Sequence, residues 1–174
     1  MTYLPTKLLA MNSTHIHLLL NHFPIIGTLI GGALLLYSII KKQDTGKITG
    51  AFIIVIMAII AIPVLLTGEP AEESIEHLSG ISKALIHDHE EASEKAFWLM
   101  EITGVFSLFA IVLYKIKSAF APKAFLVAFI FSVITFFAMA WAGNLGGKIR
   151  HPETTNTFMN VEKGATNSQP ENDE

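Results

Sequence analysis

The sequence contains no cysteine among its 174 residues. That absence excludes disulfide bonds, iron–sulfur clusters, thiolate zinc sites and the covalent attachment of a c-type haem, because each of these needs cysteine sulfur. Charge is also sparse: Asp, Glu, Lys and Arg together make up 16% of the residues, and the formal net charge is −3. The basic residues are spread among loops, so we expect no nucleic-acid partner. Any metal must be held by histidine, carboxylate or methionine.

Long apolar runs, in contrast, dominate the chain. Hydrophobic residues make up 51% of it, and the mean hydropathy is +0.49. Four runs, at about 18–40, 48–67, 97–116 and 124–142, are each long enough to cross a hydrocarbon core of about 30 Å as a helix. We therefore predict an all-α membrane protein, a bundle of four transmembrane helices in a lipid bilayer. The first run lacks the basic start and the cleavage site of a signal peptide, so we expect it to be retained.

Composition also sets the domain boundaries. Residues 15–152 are predicted to form the membrane domain, between a leader at 1–14 and a polar tail at 153–174. The tail has few apolar residues and is predicted to be disordered. The outer loop at 68–96 is predicted to contain a short surface helix at 71–78, a break at 78–80 and a helical extension at 82–95 into the third span.

The loops differ in charge. The short segments 41–47 and 115–123 carry lysines, whereas 68–95 is rich in glutamate. Because positively charged loops tend to stay in the cytoplasm, we predict that both termini lie on the outer, periplasmic side of a bacterial inner membrane. Trp98 and Trp141 fall at the outer ends of their spans, where aromatic residues are enriched.

Histidine carries most of the chemistry in this sequence. Imidazole binds metals and haem iron and carries protons near neutral pH. His22 lies inside the start of the first span and Glu101 about one turn inside the third, where ionisable side chains are costly and generally face a partner. Glu101 is therefore a candidate proton carrier. All seven histidines belong to the predicted outer side: His15, His17, His22, His77, His87, His89 and His151.

Two short motifs stand at opposite ends of the apolar region. One is His17-x4-His22-Phe23-Pro24-Ile25, and the other is Gly146-Gly147-x-x-Arg150-His151. Together they resemble the pattern of a family of bacterial four-helix membrane proteins known mainly as a domain of unknown function, over residues of about 15–152. The sequence departs from that pattern at Leu18 and Pro152 and lacks an acidic residue in the first helix. The resemblance implies redox chemistry near the outer face, since relatives are sometimes fused to Rieske or c-type cytochrome domains.

The first hypothesis for function is an electron-transfer membrane protein that binds b-type haem near the outer face. Four-helix bundles hold cofactors between their helices, and histidine ligates haem iron. Electrons would be exchanged with quinol or with a periplasmic cytochrome or Rieske-type protein. The predicted haem contacts are His22 as first ligand, His87 or His89 as its partner, His151 as a competitor, and Arg150 and Lys148 for the propionates.

Two further hypotheses use the same histidines differently. In one, a Cu, Zn or Fe ion binds at the outer rim, because imidazole suits all three metals; in the other, the chain is a structural subunit of a membrane complex whose histidines form hydrogen bonds between helices. Glu72, Glu73, Glu76 and His77 are interpreted as a solvated acidic surface. No hydrolase or transferase motif occurs in the sequence. The candidate metal ligands are His15, His17, His22, His87, His89, His151 and Glu90.

Overall fold

The computed structural model describes residues 13–77 and 81–150, the last of these by its backbone alone. Helices in this part of the chain are α1 (His22–Lys41), α2 (Asp44–Glu73), α3 (Lys83–Lys115) and α4 (Ala121–Arg150). Residues 13–20 form a further helical segment that leads into α1. Four helical stretches are long and apolar enough to cross a membrane, which confirms the predicted all-α architecture with four candidate spans. Most of the predicted leader, His151 and the predicted tail lie outside the described residues.

The helical hydrogen bonding of the first span is disturbed at Asn21, between the 13–20 segment and α1, although the Asn21 backbone keeps helical angles, φ −59° and ψ −25°. Pro24 gives a physical reason, because its ring nitrogen has no hydrogen to donate to the carbonyl of Leu20 and proline is best tolerated in the first turn of a helix. The Asn21 backbone donates to the His17 carbonyl at 2.9 Å. The stretch Ser13–Lys41 therefore runs as one helical rod, and because His17 and His22 are five residues apart, they lie on different faces of it.

The helices pack in cyclic order, each against the next, and α4 returns to contact α1. As a result, α1 and α3 face each other across one diagonal of the bundle. On that diagonal the Thr28 hydroxyl donates to the Met100 sulfur at 3.3 Å. Between α3 and α4, the hydroxyls of Thr103 and Thr135 lie 2.7 Å apart. Each pair thus supplies the hydrogen-bond partner that lipid cannot offer to a hydroxyl group inside the bundle.

Small residues bring α1 and α2 close together. A Cβ atom on Gly31 would lie 2.9 Å from the Gly50 carbonyl oxygen, and one on Gly50 would lie 2.8 Å from the Gly31 carbonyl oxygen. The two backbones are in contact at this crossing, which leaves no room for a side chain. Membrane helices rely on such contacts because lipid gives no hydrophobic drive for helix association.

Helices α2 and α3 are longer than the hydrocarbon core of a membrane is thick. They contain 30 and 33 residues, or roughly 45 and 50 Å, against a hydrocarbon core of about 30 Å. We assign the membrane-spanning segments to the apolar stretches 18–40, 48–67, 97–116 and 124–142, so the intervening ends of α2 and α3 project beyond them. The predicted surface helix at 71–78 is not separate: residues 71–73 continue α2, and 74–77 form a turn. Burial of Ala71 against the bundle accounts for this longer helix.

The bundle has two chemically distinct ends. The α1–α2 and α3–α4 turns lie together at one end, which we call the lysine end (residues 41–47 and 115–123). Each turn places a lysine in the left-handed backbone region, Lys42 at φ 54° and Lys117 at φ 55°. At the opposite end lie the start of the 13–20 segment, the projecting parts of α2 and α3, and the last turns of α4. Trp98 and Trp141 are exposed towards that end.

Candidate functional site: a pocket with two anchored histidines

A cavity of about 660 Å³ lies at the end of the bundle opposite the lysine end. Residues that reach it from the spans are mostly apolar, for example Ile25, Phe97 and Met139, whereas the projecting helix ends contribute polar and acidic side chains. We call this cavity the histidine pocket. Its titratable lining residues are His17, His22, Glu69, Glu72, His89, Glu90 and Glu94.

His17 is anchored to the backbone of α2. Its Nδ1 lies 3.0 Å from the carbonyl oxygen of Val64. A carbonyl oxygen only accepts, so Nδ1 carries the hydrogen and Nε2 is left as the basic nitrogen. The Thr67 hydroxyl lies 3.5 Å from the same Nδ1. The imidazole is therefore fixed in one tautomer at the pocket wall.

His89 is anchored in the same way to α4. Its Nδ1 lies 2.9 Å from the carbonyl oxygen of Ala142, and its side chain is only 16% exposed. The Ser93 hydroxyl, one turn further along α3, lies 3.5 Å from Nε2. Burial lowers the pKa of His89, although its bond to the Ala142 carbonyl acts in the opposite direction. We expect this imidazole to be neutral at pH 7, with the lone pair on Nε2.

A glycine follows each of the two accepting carbonyls at a spacing of four residues: Gly68 follows Val64, and Gly146 follows Ala142. A Cβ atom on Gly146 would lie 3.0 Å from Cε1 of His89, and one on Gly68 would lie 3.6 Å from Cε1 of His17. Helical side chains point back towards the N-terminus and cover the preceding turn. At Gly146 the missing side chain therefore leaves the Ala142 carbonyl open to the His89 imidazole, whereas a Cβ atom on Gly68 would make only an ordinary van der Waals contact with His17.

Glu72 faces His89 across the pocket, with Oε1 3.9 Å from the His89 Nε2. It lies in the projecting end of α2, beyond the membrane-spanning segment. Burial, together with the charges of Glu90 and Glu69, raises the pKa of Glu72 to about 7. Near neutral pH this carboxyl group is about half protonated. The interpretation of Glu72 as part of a solvated surface is therefore wrong, whereas Glu73 is exposed as expected.

The other predicted ligands at this end are more exposed. His22 lines the rim of the pocket with an exposed side chain whose Nδ1 is bonded to the side-chain oxygen of Asn21. His87 is 76% exposed and lies 3.9 Å from Glu90, which itself is mostly exposed at the rim. His15 and His77 also have exposed side chains. Among the described histidines, His17 and His89 are the ones held inside the pocket.

Two further predicted residues are absent from the pocket lining. The Lys148 ammonium lies 6.0 Å from the centroid of the Trp141 ring, at the distance of a cation–π contact. Glu101 lies in the span of α3, and its Oε1 is buried with no hydrogen-bond partner in the described part of the chain. The side chain of Arg150 and the whole of His151 lie outside the described residues.

The described residues include no group of three His, Asp or Glu side chains arranged to hold a bare metal ion. The pocket offers instead two separate imidazoles, each fixed by its Nδ1 hydrogen. Sequence reasoning identified His89 and His17 among the candidates but missed Glu72 and the two carbonyls. The signal for the carbonyls was a glycine inside each helix, since such glycines often mark a close approach to the backbone.

No protein family, no curated protein and no solved structure matches the chain. The function is therefore inferred from the pocket itself.

Proposed function

We propose that the chain is an integral membrane electron-transfer protein that binds b-type haem in the histidine pocket, where His17 and His89 would hold the haem iron. The observation that carries this proposal is the matched anchoring of the two imidazoles. Each donates its Nδ1 hydrogen to a helical carbonyl and keeps Nε2 for a ligand. Histidines that ligate metals are commonly oriented by such a second hydrogen bond.

The position of the two histidines also suits a porphyrin. His89 lies on α3, and His17 lies on the segment that leads into α1, so they belong to the two elements on one diagonal of the bundle. A porphyrin supplies four nitrogen ligands of its own, so two imidazoles complete the coordination of its iron, whereas a bare ion needs more protein ligands than converge here. The cavity of about 660 Å³ falls within the usual range for small-molecule and cofactor sites, roughly 300–1,000 Å³. Haem bound there would supply a one-electron redox centre.

The charges of the lining bear on that chemistry. Its described residues include Glu69, Glu72, Glu90 and Glu94 but no lysine or arginine. Such a lining favours the more positive, oxidised state of a redox centre. Glu72, with its pKa raised to about 7, would take up or release a proton near neutral pH beside the Nε2 of His89. Glu101 is the proposed proton carrier deeper in the span. The predicted propionate contacts of Arg150 and Lys148 remain part of the proposal, although Lys148 does not line the pocket.

The proposed orientation in the membrane rests on the charge of the loops. The lysine end is proposed to face the cytoplasm of a bacterium, because lysine-bearing loops are retained there. The histidine pocket would then open at the periplasmic face of the inner membrane. Quinol from the bilayer, or a periplasmic cytochrome or Rieske-type protein, is the proposed redox partner.

Membership of the four-helix family with the two motifs is part of the same proposal. Its support is that the motifs, far apart in sequence, meet at one pocket. His17, His22 and Pro24 from the first motif and Gly146 and Gly147 from the second all line it. A shared ligand site is a physical reason for two such distant motifs to occur together.

A second candidate function is structural. The bond from His17 to the Val64 carbonyl ties the first helical segment to α2, and the bond from His89 to the Ala142 carbonyl ties α3 to α4. Hydrogen bonds between membrane helices contribute on average about 0.6 kcal/mol each. The chain would then act as a cofactor-free subunit of a membrane complex.

A visible spectrum separates the two functions. The detergent-purified protein, from cells supplied with haem precursor, is measured as oxidised protein and again after dithionite reduction. A Soret band that shifts on reduction, with sharp alpha and beta bands and about one haem per chain, supports the haem proposal. A featureless spectrum from haem-replete cells contradicts it and leaves the structural function.

Parallel spectra of His17→Ala and His22→Ala decide which histidine of the first motif is the ligand. We expect only His17→Ala to lose the bands.

A further inference from the structure

A second cavity, of about 400 Å³, lies at the lysine end between the start of α2, the end of α3 and the start of α4. It is separate from the histidine pocket and plays no part in the proposed haem site. Its lining brings together residues from both short turns, including Lys47, Lys115 and Lys117. The two turns are distant in sequence, so only the folded bundle assembles these charges.

The cavity carries an excess of positive charge. Asp44 is the acidic residue of its described lining, and its carboxylate is already engaged, 2.9 Å from the Lys47 ammonium and 3.5 Å from the Tyr114 hydroxyl. Neither Lys115 nor Lys117 forms an ion pair within the described residues. Two exposed lysines of the lining therefore have no carboxylate partner in the described part of the chain.

The backbone shapes this cavity without adding donors to it. Ala121 and Pro122 line the cavity at the start of α4, but the Ala121 N–H is bonded to the Ser118 carbonyl at 3.1 Å and proline has no N–H. The turn before them is fixed in place: the Lys117 backbone donates to the Tyr114 carbonyl at 2.9 Å and the Ser118 backbone to the Leu113 carbonyl at 2.9 Å. The lysines are thus presented from a closed, hydrogen-bonded turn.

The surroundings of the cavity are apolar and place it at the membrane surface. Its floor is formed by the ring of Phe125, which is buried and packs edge-on against Tyr114 with ring centroids 6.3 Å apart. Ile116 and Phe120 flank the lysines and are both strongly exposed, as side chains in contact with acyl chains would be. A group bound here would have its anionic part among the lysines and its apolar part beside these two residues.

We propose that this cavity binds the phosphate group of an anionic phospholipid. Lysine clusters next to a membrane-spanning helix attract anionic lipids, and basic pockets between such helices bind their head groups. Phosphate chemistry is shared by a lipid head group and by free inorganic phosphate, and the apolar flank favours the lipid. The inference is independent of the haem proposal, since it involves different residues at the opposite end of the bundle.

Native mass spectrometry of the full chain in detergent, titrated with phosphatidylglycerol, tests this site by counting bound lipids. The test variant is Lys115→Gln with Lys117→Gln. Lys41→Gln with Lys42→Gln is the matched control, because it makes the same charge change at the same end with two lysines outside the cavity lining. Each lysine near an anionic surface contributes about fivefold in affinity. We expect one lipid to bind saturably to the natural chain and roughly thirtyfold weaker binding in the test variant. We expect a clearly smaller loss in the control, whose two lysines do not line the cavity.

Further measurements separate a loss of lipid binding from a folding defect and a lipid ligand from free phosphate. Asp44→Asn removes the acidic group of the described lining and should tighten binding, a direction that a folding defect would not produce. Inorganic phosphate, added in excess as competitor, should leave the lipid bound if the lipid is the ligand, and should displace it if free phosphate is the preferred source. Phosphatidylcholine should bind more weakly than phosphatidylglycerol. Equal weakening in the two double variants, or lipid binding that never saturates, would overturn the proposal.

Discussion

The Cε1 atom of His89 lies 3.0 Å from the point that a Cβ atom on Gly146 would occupy, so the absence of a side chain on α4 lets α3 place this imidazole against the Ala142 carbonyl. We expect Gly146→Ala to push the ring away from that carbonyl and to weaken haem binding by roughly 10- to 100-fold, the usual effect of losing the group that orients a ligating histidine. Titration of haem into the haem-free protein measures the change.

Gly147→Ala is the comparison variant for that substitution, because it adds the same methyl group to the same pocket wall without touching His89. Gly147 is the next residue of the same helix, and a Cβ atom there would meet nothing within 4 Å. Both variants gain the same helix propensity, roughly 1 kcal/mol, so a difference between them reports the contact with His89. Equal haem affinity in the two variants would contradict the assigned role of Gly146.

Glu72 makes a prediction about pH. Its pKa is about 7 in the folded chain against an ordinary value of 4.5, so between these values the folded state binds more protons than the unfolded state. The stability contributed by the protonated form is therefore present below about pH 4.5 and is lost as the pH rises through about 7. Glu72→Gln removes this loss, and the melting temperature of the variant should rise relative to the natural chain between pH 5 and pH 8.

The comparison uses the haem-free protein, and Glu73→Gln is its control. Glu73 is the exposed neighbour in sequence, so its substitution changes charge equally without touching the pocket. His89 has a lowered pKa, so protonation of this histidine lowers the stability of the folded protein as the pH falls. This contribution is present in all three proteins. A pH-independent difference between Glu72→Gln and the natural chain would show that Glu72 is not buried as described.

The crossing of α1 and α2 predicts a stability effect far from either cavity. Gly50→Ala would place its Cβ 2.8 Å from the Gly31 carbonyl oxygen, a backbone atom that cannot turn aside. We expect the free energy of unfolding to fall by about 1–3 kcal/mol, the usual cost of overpacking. Unfolding in mixed detergent and denaturant measures it, with Gly147→Ala as the variant that adds a methyl group in open space.

Much of this fold follows from the sequence because one physical property decides it. Apolar runs of about 20 residues must become helices in a bilayer, where each backbone group needs an internal partner. The four long apolar helices and the short lysine-bearing turns could be predicted for this reason. The length of α2 could not, because its continuation through Ala71 depends on tertiary packing that hydropathy does not record.

The site was predictable only in part. Histidine is rare and chemically distinct, so His17 and His89 were among the candidates, yet spacing alone ranked His22 and His87 beside them. Burial separates these residues, and burial depends on which face of the first helix meets α2 and which face of α3 meets α4. The Val64 and Ala142 carbonyls could not be picked out from the sequence at their own positions, since every residue has a backbone carbonyl.

The central claim is tested most directly by dithionite-reduced minus oxidised spectra of His89→Ala and His87→Ala, purified from haem-replete cells beside the natural chain. The two histidines are two residues apart on α3, but one is buried in the pocket and the other is 76% exposed. The account predicts that His89→Ala loses the Soret, alpha and beta bands while His87→Ala keeps them at about one haem per chain. Haem bands retained in His89→Ala, or lost equally in both variants, would contradict it.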